Sequence, residues 1–242
     1  MFPFPAVPPV INPSFTLSYT NSSVSPSGVF EIANSADIEI NDIVVVSQFS
    51  GDGAYSVLPS ADAYLGTGFT KVNTRRSYLS ATQVLMQSIS YHKVTSGSAF
   101  GPGAEIGGFM PAYGQDGFFN TTSYLAVYRP DFAYTTISVP IAVTAGSGSS
   151  ISNSSTLAID TTTGGTISVA SVIAGANISN FQVWDGGGLS FSSSGAVDTG
   201  LYCGRGTTYI DAQAYEQGLP IQVGYTASAG YRAFCAGVLD VY

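Results

Sequence analysis

The side chains able to do chemistry are few. There is a single histidine, His92. A Ser-His-Asp triad would have to use it as its base. It closes an alternating run that begins near Val84, and no G-x-S-x-G elbow exists to supply a nucleophile. His92 therefore reads as a tolerant surface position, and no residue is assigned a catalytic role. The sequence has no H-E-x-x-H, C-x-x-C or clustered histidines, so no metal ligand is assigned. Asp52-Gly53 and Asp185-Gly186 are single-aspartate turns, whereas a calcium loop needs several oxygen ligands at fixed spacing. The 15 acidic residues stand mostly beside Gly, Asn or Ser, where carboxylates are solvated, and no glycosidase pair stands out. No glycine-rich loop opens a helix to cradle phosphate. No cofactor is expected.

Aromatic side chains offer a different chemistry. Trp184 precedes Asp185-Gly186-Gly187-Gly188, and Tyr64, Tyr113, Phe118 and Phe119 also fall in glycine-rich stretches. An exposed ring on such a loop can stack on the apolar C–H face of a sugar or against another subunit. The competing reading is that these rings anchor loops to the core. Cys203 and Cys235 are too few for a disulfide framework. They are either a pair or two small buried hydrophobes.

Composition narrows the function classes. Charged residues make up 9% of the 242, against roughly 25% in an average soluble domain. Lys71 and Lys93 are the only lysines. With a net charge of −8, the nearest approach to a basic cluster is Arg75-Arg76, which excludes a nucleic-acid partner. No apolar run reaches the ~18 residues of a membrane span. Met1-Phe2-Pro3-Phe4-Pro5 lacks the basic start of a secretory signal. A hydroxyl-rich, charge-poor surface without an export signal fits a particle assembled in the host cytoplasm and exposed on release, and it also fits a mature chain whose signal has been removed.

Prolines at 3, 5, 8, 9, 13 and 26 preclude regular helix over residues 1–28. Phe2, Phe4, Val7, Val10 and Ile11 make this stretch apolar, so it reads as an extended arm that anchors on a partner or folds back on its own domain. From residue 29, short apolar runs alternate with Gly, Ser, Asn and Asp clusters, the pattern of an all-β chain. Strands are expected over Ile43–Val46, Val84–Val94, Tyr124–Tyr128 and Thr136–Val143, with turns at Asp52-Gly53, Asp116-Gly117 and Asp185-Gly186.

Self-comparison points to a duplication. Asn41–Val46 matches Gly165–Ala170, and Ser88–His92 matches Ala212–Glu216, both at an offset of 124 (165 − 41 and 212 − 88). Tyr124–Val127 matches Phe234–Gly237 at 110. The expected organisation is two tandem β-sandwiches, jelly-roll or immunoglobulin-like, at 29–143 and 156–242, joined by the Gly/Ser-rich stretch 144–155.

Asn41–Val46, Gly68-Phe69-Thr70, Tyr91-His92-Lys93-Val94 and Tyr124–Arg129 together resemble a pattern found in proteins of tailed bacteriophages. It covers most of the first copy. The second copy departs from it: Gln217 replaces the lysine and no arginine follows Ala236. The resemblance implies a virion structural protein (fibre, tail or head decoration) that assembles with itself, for example as a trimer, and with other virion proteins. It implies no catalytic residue and leaves contact with host-surface glycan open. The competing classes are a carbohydrate-binding module or adhesin, centred on Trp184, and a polysaccharide depolymerase, whose usual long β-helix repeats are absent here.

Overall fold

The computed structural model describes residues 15–25, 30–54, 68–78, 83–106, 120–145, 155–158, 165–174, 178–185, 190–191, 193–198, 202–210, 220–227 and 232–242. Among these the chain is all-β, with no helix, and every strand pair is antiparallel. The first half carries β1 (Phe15–Ser25), β2 (Phe30–Glu31), β3 (Ile43–Ala54), β4 (Thr70–Tyr78), β5 (Gln83–Lys93), β6 (Glu105–Ile106) and β7 (Asn120–Pro130). The second carries β8 (Ile137–Ala145), β9 (Ser155–Ala158), β10 (Gly165–Ala174), β11 (Ile178–Asp185), β12 (Ser190–Phe191), β13 (Ser193–Asp198), β14 (Tyr202–Ile210), β15 (Pro220–Ala227) and β16 (Arg232–Val241).

One five-stranded sheet has the order β1-β7-β3-β5-β4, and a second has β13-β14-β10-β16-β8. A four-stranded sheet runs β12-β11-β15-β9, and β2 pairs with β6. The expected strands correspond to β3, β5, β7 and β8, with Val94 one residue beyond β5 and Thr136 one residue before β8. Phe15–Ser25, in the proline-rich zone, is a sheet strand, whereas Phe2, Phe4, Val7, Val10 and Ile11 lie outside the described residues. By its pairing with β16, β8 belongs to the second sheet.

β3 explains the layering. Ile43, Val44, Val45 and Val46 are all buried, as β-branched residues on a strand covered on both faces should be. Alternate side chains point to opposite faces. Val44 and Val46 join Ile32, Ala36, Val94, Leu125 and Val127 in one cluster. Ile43 and Val45 join Val72, Ile89, Ala126 and Tyr128 in another, completed from the second sheet by Ile167, Cys235, Leu239 and Val241. The two five-stranded sheets thus share a core. Each fully buried Val, Ile or Leu contributes roughly 1.5–3 kcal/mol to holding it.

Two readings of the sequence change. Asp52-Gly53 is not a turn: it lies inside β3, where the register with β5 shifts between Ser50 and Gly53. Glycine serves a β-bulge as readily as a turn. The open question of Cys203 and Cys235 closes against a disulfide. Cys203 lies on β14 opposite Ile173, and Cys235 on β16 opposite Ser171, with β10 between. Two strand spacings separate their backbones by about 9–10 Å, beyond disulfide reach, and Cys235 is buried in the shared core.

Where β10 begins, Gly165 admits the ring of Phe15. A Cβ there would stand 2.8 Å from Phe15 Cζ and 3.2 Å from Phe132 Cζ. Phe15 is only 2% exposed and meets Phe132 edge-to-face at 5.4 Å, so it has little room to yield. Gly165→Ala is expected to destabilise by about 1–3 kcal/mol through overpacking. Adding Phe15→Leu should cost less than the sum of the single changes. Urea denaturation of the four chains measures this, and strict additivity would refute the contact.

Candidate functional site

The resemblance motifs converge at one end of the first sheet. Asp42, just before β3, is 1% exposed. A carboxylate so deeply buried needs a partner and hydrogen bonds. Arg129, near the end of β7, supplies both: Nε donates to Asp42 Oδ1 at 3.0 Å and Nη2 to Oδ2 at 3.0 Å. This two-pronged geometry matches guanidinium to carboxylate. Arg129 Nη1 also reaches Asp37 Oδ2 at 3.1 Å and Glu39 Oε1 at 3.2 Å. The bonds from Asp42 and then Asp37 hold the guanidinium pKa above its ordinary value, so its charge is permanent.

Backbone bonds close the loop. Glu39 N–H donates to Asp42 Oδ2 at 2.7 Å, and Asp42 N–H to Glu39 O at 3.1 Å. Asn41 N–H donates to Val94 O at 2.8 Å, and Val94 N–H returns a bond to Asp42 O at 2.9 Å. Asn41 adopts a positive φ of 73°, which asparagine tolerates better than most residues. The Tyr134 hydroxyl donates to Asn41 O at 2.8 Å, and Lys93 Nζ sits 4.2 Å above the Tyr134 ring. The result is a clasp: one arginine and three carboxylates fix a loop that presents Ile40, 60% exposed, to solvent.

Beside it, His92 ties two further loops. Gly68 O can only accept, so His92 Nδ1 donates to it, at 2.8 Å. In the neutral ring this leaves Nε2 as acceptor, and the Ser98 hydroxyl donates to it at 2.9 Å. Ser98 Oγ also accepts Phe100 N–H at 3.3 Å. The His92 ring lies 4.1 Å from that of Phe100 and 5.9 Å from that of Phe69. A serine–histidine hydrogen bond is the first element of a nucleophilic pair. Here the serine oxygen is held from both sides within a turn, and a backbone carbonyl orients the ring, so the arrangement works as a latch. The expectation of a tolerant surface position for His92 is corrected: it is half-buried, with both nitrogens bonded. Sequence reasoning passed over Asp42, Ser98 and Phe100. The usable signal was the co-occurrence of Asn41-Asp42, Gly68-Phe69, His92-Lys93 and Arg129 in one motif set.

Of the aromatic set, Trp184 alone falls among the described residues. Trp184 has its backbone in β11, opposite Ser190 and Gln222. Tyr64, Tyr113, Phe118 and Phe119 lie outside the described residues. Among the described residues no three or more His, Cys, Asp or Glu side chains gather as for a metal ion, and no helix is long and apolar enough to cross a membrane. No protein-family model, curated protein or solved structure matches the chain.

Two predictions test the clasp. Arg129→Met leaves Asp42 buried and unpaired, so it should cost about 3–5 kcal/mol. Asp37→Asn and Glu39→Gln, at exposed ends of the network, should each change stability by less than about 1 kcal/mol. Equal losses in urea denaturation would contradict this ranking. Burial, and secondarily Asp42, raises the Tyr134 pKa above its ordinary value, near 10 for an unperturbed phenol. The folded state then holds its proton more tightly than the unfolded chain, so this stabilisation is complete below about pH 10 and declines as pH rises further. Tyr134→Phe should flatten that decline in denaturation curves collected across the alkaline range, and an unchanged slope would refute the assignment.

Proposed function

We propose that the chain is a structural subunit of a bacteriophage virion (a fibre, tail or head-decoration protein) that acts by packing against copies of itself and against neighbouring virion proteins. The observation that carries this reading is the repeated strand order. From one edge to the other, one five-stranded sheet takes β1, β7, β3, β5 and β4, and the other takes β8, β16, β10, β14 and β13. Setting aside β13, the second half alternates its strands between two sheets, β8-β16-β10-β14 and β9-β15-β11-β12. That alternation matches the order of a jelly roll, an architecture of viral capsid and lectin domains, and supports the reading. In the first half, β2 paired with β6 takes the place of β9 paired with β15.

Register supports the same duplication and adjusts its alignment. Ile43 lies opposite Tyr128, and Ile167 opposite Leu239. The offset is 167 − 43 = 124 along β3 and β10, and 239 − 128 = 111 along β7 and β16. The sequence match at 110 is one residue out, and one residue exchanges the two faces of a strand. At 111, Tyr128 and Leu239 both point into the shared core. The partner segment Ala212–Glu216 lies outside the described residues.

Composition supports display on a particle, and the phage-like motifs form the clasp. Phe2, Phe4, Val7, Val10 and Ile11 are the proposed anchor. Because β1 begins at Phe15, the informative truncation removes residues 1–14 and leaves the sheet intact. Sedimentation of the full chain should show a discrete oligomer, and removing residues 1–14 should weaken self-association or binding to a virion neighbour. A full chain that stays monomeric and binds a host glycan in a Trp184-dependent way would replace this reading with the lectin-like one.

A further inference from the structure

We propose that Ser98 is an activated nucleophile, with His92 as its base, and that it accepts the acyl group of small, unhindered esters. This activity goes beyond the assembly reading and does not depend on it. A reactive serine is recognised by geometry: its hydroxyl lies within hydrogen-bond reach of a base, and a third group orients that base. The bonds that latch the two loops meet these conditions. Ser98 Oγ lies 2.9 Å from His92 Nε2, and His92 Nδ1 lies 2.8 Å from Gly68 O. A carbonyl only accepts, so the Nδ1 proton points at Gly68 and Nε2 stands ready to take the serine proton. That is the productive tautomer for a serine–histidine pair. The rings of Phe100 and Phe69, at 4.1 and 5.9 Å, flank the imidazole.

The turn that carries Ser98 supplies the remaining parts. Gly97 adopts a φ of 85°, and Ser98 N–H bonds Thr95 O at 2.9 Å. Phe100 N–H donates to Ser98 Oγ at 3.3 Å and so favours negative charge there as the proton leaves. The N–H of the residue after a nucleophile can serve as an oxyanion donor. Here that residue is Ala99, which is exposed, and its N–H bonds no acceptor among the described residues. There is also room for a substrate: a Cβ at Gly97 or at Gly101 would meet nothing within 4 Å. Such an open site admits a short acyl group. In the reaction Ser98 Oγ bonds to the ester carbonyl carbon while its proton passes to Nε2. Collapse breaks the bond to the alcohol, which leaves with that proton, and an acyl-Ser98 ester remains. Water, deprotonated by the same nitrogen, releases the carboxylic acid, and the proton returns to Ser98. A neutral carbonyl supports the imidazolium less than a carboxylate does, so turnover should be slow and a covalent trap is the sensitive test.

The full chain is treated with an alkyl fluorophosphonate, which bonds Ser98 Oγ to phosphorus and releases fluoride, and the modified residue is read by peptide mass spectrometry. The label should fall on Ser98 ahead of every other serine, and unfolding the chain in urea beforehand should abolish that preference. His92→Gln, with its fold checked by melting temperature, should slow labelling about 100-fold or more. p-Nitrophenyl acetate should acetylate the same residue. Because the site is read on the wild-type chain, the result does not depend on a variant that folds. Ser98 left unlabelled, or labelled no faster than in the urea-unfolded chain, overturns the proposal. So does an unchanged rate in a folded His92→Gln chain. Each of these failures leaves the assembly reading standing, since sedimentation alone decides that.

Discussion

A buried carboxylate sets the register on which the described part of the chain depends. Ile43–Val46 is apolar on both faces, so hydrophobic alternation does not choose between one pairing of β3 and the pairing one residue away. Asp42 makes that choice. It is almost wholly shielded from water, and an unmatched charge in such a place costs several kcal/mol. Its partner, Arg129, is 87 residues along the chain. When the pair forms, the start of β3 is fixed against the end of β7. The reciprocal bonds between Val94 and the Asn41-Asp42 backbone fix it against the end of β5. A slip of one residue would leave β3 equally greasy but would strand the charge.

The same constraint reaches the second sheet. Tyr134 stands on the connection from β7 to β8, and its hydroxyl bonds the carbonyl of Asn41. Thr135 and Thr136 bond Tyr242 at the end of the chain, just after β16. The loop before β3, the connection to β8 and the residue after β16 therefore meet at one end of the shared core. Phe15 against Gly165 and Phe132 adds a steric fit between the sheets, where a glycine is needed for close approach and not for a special φ.

Much of the β structure was legible because its signals are local. Unbroken β-branched Ile43–Val46 announced a strand, and so did Tyr124–Tyr128, although β7 runs on through Arg129 to Pro130. The clasp was not legible, because its members look ordinary one at a time. Asn-Asp reads as a turn, a carboxylate beside asparagine reads as solvated, and no periodicity links residue 42 to residue 129. Asp52-Gly53 misled for the opposite reason: a strong local turn signal was overridden by pairing on both sides, which turned it into a bulge. His92 misled because a histidine at a strand's polar end gives no sign that Gly68 and Ser98 close over it. The rings that pack here, Phe69, Phe100, Phe132 and Tyr134, stand at the roots of loops and against the sheets.

Scarcity of charge connects these observations. With seven lysines and arginines in the whole chain, their locations are informative. Arg129 neutralises the buried carboxylate, and Lys93 covers the Tyr134 ring that braces the same loop. Lys71, Arg75 and Arg76 share the single edge strand β4. Two cations thus serve the register of β3, and three lie where the same sheet would otherwise end in an undefended edge. In a charge-rich protein such placement would mean little, because solubility alone would scatter cations everywhere. Here hydroxyls and amides keep the surface hydrated, so the grouping of these five cations on one sheet is informative, while Arg205 on β14 and Arg232 on β16 have no such role assigned.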